Sequence, residues 1–129
     1  MLKIAPTLIV EKIEPSLTYF VERLGFEKVA EVPGDGGLDF ALLMSGGHEV
    51  HLQARASAAK DIPYFAKAGM PPSCFLYFDV ADVAKYWELL KGDDVVFPLE
   101  KTFYGATHFF IREPGGHILG ISQNGTHEV

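Results

Sequence analysis

Gly46-Gly47-His48 recurs as Gly115-Gly116-His117, at an offset of 69 residues (46 to 115) in a chain of 129. The likeness continues at the same offset in the flanking segments, where 40–43 matches 109–112 and 50–52 matches 119–121. Each copy has the pattern of a strand, a glycine-rich turn and a second strand. Self-similarity at a fixed period indicates one supersecondary unit used twice. Because such a unit cannot bury its own apolar face, we expect the two copies to share one sheet and one cavity.

The first half of the chain has the pattern of a β-α-β-β-β unit. A strand at 7–10 precedes a helix that begins near Pro15, a residue suited to the first turn of a helix, and ends at Gly25. Apolar residues at i, i+3, i+4 and i+7 predict that the buried stripe of this helix is Leu17, Phe20, Val21 and Leu24. Further strands are predicted around 29–32, 38–44 and 48–54.

The second half repeats this order. A strand at 74–80 precedes a helix with Asp82 as its N-cap and Gly92 after its end. The remaining strands are predicted at 95–97, 106–112 and 118–123. The chain is therefore expected to be one domain, 1–129, with modules at about 1–54 and 74–125. The linker 55–73 contains an alanine-rich part that could form a short helix.

Composition excludes several classes of protein. Hydrophobic residues make up 48% and charged residues 22%, which indicates a folded chain. A formal net charge of −6 argues against a nucleic-acid partner, which would call for clustered cations. No apolar run approaches the roughly 20 residues of a membrane span. A lone cysteine, Cys74, fits a reducing compartment, so the expected location is the cytoplasm.

The run that surrounds the second turn carries a family resemblance. Its sequence is Tyr104-Gly105-Ala106-Thr107-His108-Phe109-Phe110-Ile111-Arg112-Glu113-Pro114-Gly115-Gly116-His117. It resembles a pattern of the glyoxalase, bleomycin-resistance and extradiol-dioxygenase (vicinal oxygen chelate) superfamily, as do Leu24-Gly25-Phe26 and Val80-Ala81-Asp82-Val83. The resemblance implies an α+β fold: two βαβββ modules form a cupped mixed sheet, with helices on its convex side. It also implies a homodimer.

Metal-dependent members of this superfamily place ligands at four strand positions. The resemblance maps these positions onto Ala5, His51, Phe75 and Gly120, of which only His51 can bind a metal. A catalytic divalent ion normally needs at least three protein ligands. His48 lies three residues from His51 on one strand, so the two side chains point to opposite faces and cannot share an ion. The prediction is therefore no metal and no cofactor.

Strand alternation identifies the residues expected to line the cavity. These ligand-binding candidates are His51, Gln53, Phe75, Tyr77, His108, Phe110, Gly120 and Ser122. They form an aromatic lining with a few polar groups, as is common in small-molecule pockets. Gly120 is expected to leave room where metal-dependent members carry a carboxylate.

Two functions remain open at this point. The first is a metal-free protein of the bleomycin-resistance type that sequesters a small, partly aromatic ligand. The chain resembles these members of the superfamily most closely in character. The second is a glyoxalase- or dioxygenase-like lyase or oxidoreductase with a degenerate site. Its base would be His51 or His108, because histidine titrates near neutral pH.

Overall fold

Both halves of the chain have the β-α-β-β-β order expected from the repeat. The computed structural model describes residues 2–67 and 74–124. The chain divides into two compact units, Met1–Pro71 and Pro72–Val129, which we call unit 1 and unit 2. The end of the predicted linker, 68–73, lies outside the described residues, as does residue 125 of the second module. Among the residues described, no helix is long and apolar enough to cross a membrane.

Unit 1 contains one mixed sheet of four strands in the order β1-β4-β3-β2, with β1 and β4 parallel and the other pairs antiparallel. The strands are β1 Thr7–Val10, β2 Glu27–Gly34, β3 Gly37–Ser45 and β4 His48–Ala54. The helices are α1 Ile13–Thr18, a π-helical turn Tyr19–Arg23 that continues it, α2 Arg55–Asp61 and a short 3-10 helix Pro63–Ala66. The short helix expected in the alanine-rich part of the linker is α2.

Unit 2 repeats this topology with the strand order β5-β8-β7-β6, again with its first pair parallel. The strands are β5 Leu76–Asp79, β6 Val95–Lys101, β7 Thr107–Arg112 and β8 Ile118–Gln123. One helix, α3 Val83–Leu90, begins after Asp82, whose side chain accepts a hydrogen bond from the Lys85 amide. Two mixed sheets with helices confirm the predicted α+β class. The expectation that the two copies share one sheet is wrong, because the described strands pair only within their own unit.

Each sheet buries one face, as strand alternation predicted. In unit 1 the fully buried positions on the central strands are Ala41, Leu43 and Leu52. In unit 2 the fully buried apolar side chains on these strands are Phe109, Ile111, Leu119 and Ile121. The α3 side chain Trp87 packs edge-on against Phe109, with ring centroids 5.1 Å apart. The opposite face of each sheet therefore carries the side chains available for a site.

The first helix buries a different stripe from the one predicted. Phe20 and Leu24 are buried as expected, but Leu17 and Val21 are only half-buried. The buried stripe instead begins one turn earlier, with Ile13 and Ser16. The helix widens to the π form at Tyr19–Arg23, which changes the angular spacing of the side chains that follow. Leu17 and Val21 consequently line a shallow surface groove of about 220 Å³.

The two glycine turns differ in length, which shifts the repeat by one residue. Met44 pairs with Glu49 across four residues, whereas the equivalent pair in unit 2, Arg112 and Ile118, is separated by five residues. The offset of 69 therefore holds for β4 and β8, but the buried residues of β3 and β7 correspond at an offset of 68, as Ala41 and Phe109 do. The match of 40–43 with 109–112 was wrong by one residue, because a slip of one reverses the faces of a strand.

The outer strands β2 and β6 share two features. Each contains a proline, Pro33 in β2 and Pro98 in β6. Each also pairs irregularly with its neighbour, with two shifts of register along its length. Most of their side chains are exposed, as at Val29 and Val96. Neither strand contributes a fully buried side chain, so the core of each unit is built from its other strands and its helices.

Candidate functional site

The open face of the unit 2 sheet carries a cluster of five rings, which we call the aromatic face: Phe75, Tyr77, Phe97, His108 and Phe110. Most neighbouring rings meet edge to face, as do Phe75 and Phe110, whose centroids lie 5.2 Å apart. Three of the five remain well exposed: Phe75 at 52%, Tyr77 at 42% and Phe97 at 39%. Apolar surface gathered on one face of a sheet marks a binding site more often than isolated exposed side chains do.

One hydrogen bond joins two rings of this face. The Tyr77 hydroxyl lies 2.8 Å from His108 Nδ1. Burial raises the pKa of Tyr77 above its ordinary value of 10.0, so the phenol keeps its proton at neutral pH. The tautomer of His108 sets which of the two groups donates in this bond. The pair gives an otherwise apolar face a fixed polar centre.

The backbone of Gly120 lies directly under two of these rings. Gly120 pairs with Tyr77 of β5 on one side and with Phe110 of β7 on the other. A Cβ atom at this position would lie 2.7 Å from ring carbons of both residues. The expectation that Gly120 leaves open room is therefore wrong, because the neighbouring rings fill that space. Aromatic rings laid over a glycine also stabilise a sheet at a position that has no side chain of its own.

Ser122 lies on the same face, two residues after Gly120. It is fully buried, and its Oγ has no hydrogen-bond partner among the residues described. The hydroxyl lies close enough to the Tyr77 phenol to oppose the rise in its pKa, but not in the geometry of a hydrogen bond. Tyr104, in the turn between β6 and β7, also approaches that phenol and contributes to the rise. Polar groups therefore surround the Tyr77 oxygen.

The open face of unit 1 is polar and centres on His51. Its Nε2 lies 2.5 Å from Glu49 Oε2, and its Nδ1 lies 3.4 Å from the Thr7 hydroxyl. The ring also meets Phe40 edge-on, with centroids 5.2 Å apart. A carboxylate that accepts from one imidazole nitrogen fixes the ring's orientation and leaves the other nitrogen as the available base. Thr7 and Nδ1 are too far apart for a strong hydrogen bond.

Glu49 is the charged partner in this arrangement. Hydrogen bonds from His51 and from Lys3 hold the pKa of Glu49 below its ordinary value of 4.5. Lys3 Nζ lies 2.9 and 3.0 Å from the two carboxylate oxygens. Gln53, the other ligand candidate of this unit, donates to the Ser57 hydroxyl of α2 at 3.3 Å. His51 and Gln53 thus share a face but do not contact each other through their polar groups.

The structure divides the eight predicted ligand residues between the units. His51 and Gln53 lie in unit 1, and the remaining six lie together on the open face of unit 2. Sequence reasoning overlooked Phe97 and gave no role to Glu49 or Lys3. Phe97 was detectable, since it lies in a predicted strand that would pair with the one containing Phe110. The contact between Lys3 and Glu49 joins residues 46 positions apart, so no local sequence pattern predicts it.

These residues do not fit a divalent metal at the positions that the superfamily resemblance implies. Of Ala5, His51, Phe75 and Gly120, only His51 offers a donor atom, and its Nε2 is bonded to Glu49. The space at Gly120 is filled by two rings. Within residues 2–67 and 74–124, no three His, Cys, Asp or Glu side chains come together in a way that could hold an ion. No chemical step is therefore derived through a metal.

Comparison with known proteins identifies a family. The family model described as Glyoxalase/Bleomycin resistance protein/Dioxygenase superfamily matches residues 3–121. No curated protein matches the chain. The match spans nearly all of both units, so it concerns the whole of the described fold.

Solved structures show the same fold at low sequence identity. TioX from Micromonospora sp. ML1 is 21% identical, with a TM-score of 0.73, 94% of this chain covered and 97% of that one. A lactoylglutathione lyase from Agrobacterium tumefaciens is 15% identical, with a TM-score of 0.74 and coverage of 95% and 94%. The bleomycin-binding protein of Streptomyces verticillus, complexed with copper(II)-bleomycin, is 19% identical, with a TM-score of 0.61 and 98% coverage of both chains. Such identities establish the fold alone, because one fold serves many functions.

Proposed function

We propose a binding function for this chain, which belongs to the Glyoxalase/Bleomycin resistance protein/Dioxygenase superfamily. The chain sequesters a small, partly aromatic molecule, without a metal or cofactor, in the manner of the bleomycin-resistance type. The observation that carries the proposal is the aromatic face, on which Phe75, Tyr77 and Phe97 are 39–52% exposed beside a fixed polar pair. A structural relative, the bleomycin-binding protein of Streptomyces verticillus in complex with copper(II)-bleomycin, supports binding as a use of this fold.

The physical reason is the balance of apolar and polar groups. Removing apolar surface from water contributes about 25 cal/mol per Å². A planar ligand would cover exposed ring faces and add edge-to-face contacts, each worth about 0.5–1.5 kcal/mol. The Tyr77–His108 pair supplies polar atoms that orient the ligand.

The proposal is tested by a thermal-shift screen of small aromatic molecules, followed by calorimetry of the best ligand. Phe75→Ala should weaken that ligand about tenfold or more, because Phe75 is exposed and contacts Phe110. Tyr64→Ala is the matched control, since Tyr64 is 76% exposed and lies in unit 1. Equal losses in the two variants, or no ligand in the screen, would contradict the proposal. Metal analysis after mild purification should give far less than one Zn, Ni, Mn or Fe per chain.

A second candidate function is an enzyme of the lyase or dioxygenase type that uses His51 as a general base. The 2.5 Å contact between His51 and Glu49 favours it, because a carboxylate partner fixes the orientation of the ring. His108 is less suited, since its Nδ1 is already hydrogen-bonded to the Tyr77 hydroxyl. A turnover assay decides between the candidates: an enzyme should lose about a hundredfold or more in rate in His51→Ala while still binding substrate. A binding protein should show no His51-dependent reaction.

We also propose that the chain forms a homodimer in the cytoplasm. Exposed apolar side chains such as Val29, Ile62 and Val96 provide surface for a second copy to cover. The single cysteine, the exposed Cys74, supports a reducing compartment. Sedimentation velocity at micromolar concentration should give the mass of a dimer, and a monomer would contradict this proposal.

A further inference from the structure

The open face of unit 2 is arranged in rows that cross its four strands. Successive side chains of a strand alternate between the two faces, so every second level of the strand pairing gives one row on this face. The row at the central glycine is aromatic and consists of Tyr77, Gly120, Phe110 and Phe97. The next row on the same face consists of Asp79, Ser122, His108 and Glu100. A carboxylate therefore lies at each end of the row that borders the rings.

These two carboxylates have no cation partner in the described part of the chain. Asp79 and Glu100 are both exposed, and neither takes part in an ion pair there. Glu100 follows Phe97 by three residues, and the register shift between them keeps both side chains on the open face. Asp79 Oδ1 accepts a hydrogen bond of 3.3 Å from the Asn124 amide, which does not balance its charge.

The cations nearest in the sheet do not balance these charges either. Lys101 pairs with Thr107, so its side chain belongs to the opposite face of the sheet. Arg112 lies on the same face as Phe110, but its guanidinium already bonds the Asp94 carboxylate at 3.1 Å. The open face of unit 2 therefore carries an excess of negative charge beside its rings.

The negative charge acts on the rings themselves. Burial is the main cause that raises the pKa of Tyr77, and the charge of Asp79 contributes to the same rise. A carboxylate that disfavours a negative phenolate favours a positive group at the same place, because the Coulomb interaction changes sign with the charge. The π faces of aromatic rings also attract cations. The rings and the carboxylates thus favour the same class of ligand.

We propose that the aromatic face selects a ligand in which an aromatic ring carries a positively charged amine. The inference rests on the proposed binding function and names its ligand class. The ligand ring covers the exposed apolar surface of the aromatic row. Its ammonium group lies over the neighbouring row, within reach of Asp79 or Glu100. No covalent bond forms or breaks.

The test uses three probes that share one ring and differ in charge: benzylamine, which is a cation at neutral pH, benzyl alcohol and benzoate. NMR titration of the intact chain gives their affinities. We expect benzylamine to bind most tightly and benzoate most weakly. The ratio of the benzylamine and benzyl alcohol affinities, which we call the charge preference, cancels the contact made by the shared ring. Added sodium chloride should lower this preference, because salt screens charges at an exposed site.

Variants of single side chains locate the effect. Asp79→Asn or Glu100→Gln, whichever carboxylate faces the ammonium group, should lower the charge preference about two- to fivefold. Glu88→Gln is the matched control: it removes the same charge from an exposed position on α3 and should leave the charge preference unchanged. Phe97→Leu keeps an apolar side chain but removes its ring, so it should lower the charge preference about twofold or more.

Each outcome decides the proposal. Benzyl alcohol or benzoate binding as tightly as benzylamine overturns the ligand class, as does the failure of all three probes when a neutral molecule from the screen binds. A charge preference that survives both Asp79→Asn and Glu100→Gln overturns the role of the carboxylates, and an equal loss in Glu88→Gln would do the same. An unchanged charge preference in Phe97→Leu overturns the role of that ring in selecting charge. The proposed binding function fails separately, if no aromatic molecule shows an affinity that depends on Phe75.

Discussion

The two units fill the open face of the same sheet in opposite ways. In unit 1 the central strand carries a large side chain, His51, and its partners on the flanking strands are Thr7 and Leu42. In unit 2 the equivalent central residue is Gly120, and its partners are Tyr77 and Phe110. In unit 1 a side chain of the central strand fills this face of the sheet. In unit 2 side chains of the two flanking strands fill it. Side chains on this face are therefore interdependent, and a metal-binding carboxylate could not be introduced at Gly120 without moving two rings.

The largest effect on stability should come from removing the buried carboxylate that holds the turn between β7 and β8. Glu113 is 1% exposed, and its carboxylate accepts from the amides of Gly115 and His117, each at 2.9 Å. Glu113→Ala should lower the free energy of unfolding by about 3 kcal/mol, because two amides of the turn lose their hydrogen-bond acceptor. Chemical denaturation measures the change.

The control lies in the shorter turn of unit 1. Gly47 has a φ of +83°, and an added Cβ would meet nothing within 4 Å. Gly47→Ala should therefore cost only the backbone strain, about 1–2 kcal/mol. A loss in Glu113→Ala no greater than that in Gly47→Ala would show that the carboxylate does not hold the turn.

A smaller effect tests whether the flanking rings fill the space over the central glycine. Gly120→Ala should cost about 1–3 kcal/mol, as overpacking does, because the new Cβ overlaps both rings. In a Tyr77→Ala background the same change should cost much less, since one ring is gone. A double-mutant cycle by chemical denaturation measures this coupling. Additive losses would mean that the rings do not depend on Gly120.

Acid should act on the polar face of unit 1. The folded pKa of Glu49 lies below its ordinary value of 4.5. Its contribution to stability is therefore present above pH 4.5 and lost as the pH falls through the lower, folded pKa. Glu49→Gln should make the free energy of unfolding less dependent on pH in that range. The check is a set of denaturation curves between about pH 5 and pH 3, and identical slopes in the two proteins would contradict the role of Lys3 and His51.

Alkali should act on the aromatic face of unit 2. The pKa of Tyr77 is raised above 10.0 in the folded state, chiefly by burial. Its contribution is present below pH 10.0 and lost as the pH rises through the higher, folded pKa. Tyr77→Phe should flatten the decline of stability in that range, while Glu49→Gln should not. The effect is small because Tyr77 is 42% exposed, and thermal melts of the variants above pH 9 or so would detect it.

Much of the fold could be predicted from local patterns. The strands 7–10 and 48–54 were predicted with the bounds observed for β1 and β4. Asp82 was correctly identified as an N-cap because its side chain bonds within four residues. Alternation also separated the buried Phe109 from the half-buried His108 and Phe110. These features depend on short-range geometry, which the sequence expresses directly.

The predictions failed where contacts between residues distant in the sequence determine the structure. The extra residue in the turn before Ile118 shifted the match between β3 and β7, since three identical letters align the turns but not their lengths. The open space expected at Gly120 was filled by Tyr77 and Phe110, which come from two other strands. The Lys3–Glu49–His51 contacts likewise join distant segments. The ligand-binding role of the predicted residues stays a prediction.

The prolines and register shifts of the outer strands β2 and β6 bear on aggregation. A free strand edge can template pairing with other chains, and proteins guard such edges with proline, charge and bulges. Pro33 and Pro98 have no amide hydrogen, so a strand added along either edge would miss a bond at that point. Replacing them would create longer regular edges next to exposed Val32 and Phe97. We therefore expect these two prolines to hinder the pairing of the outer strands with other chains in a crowded solution.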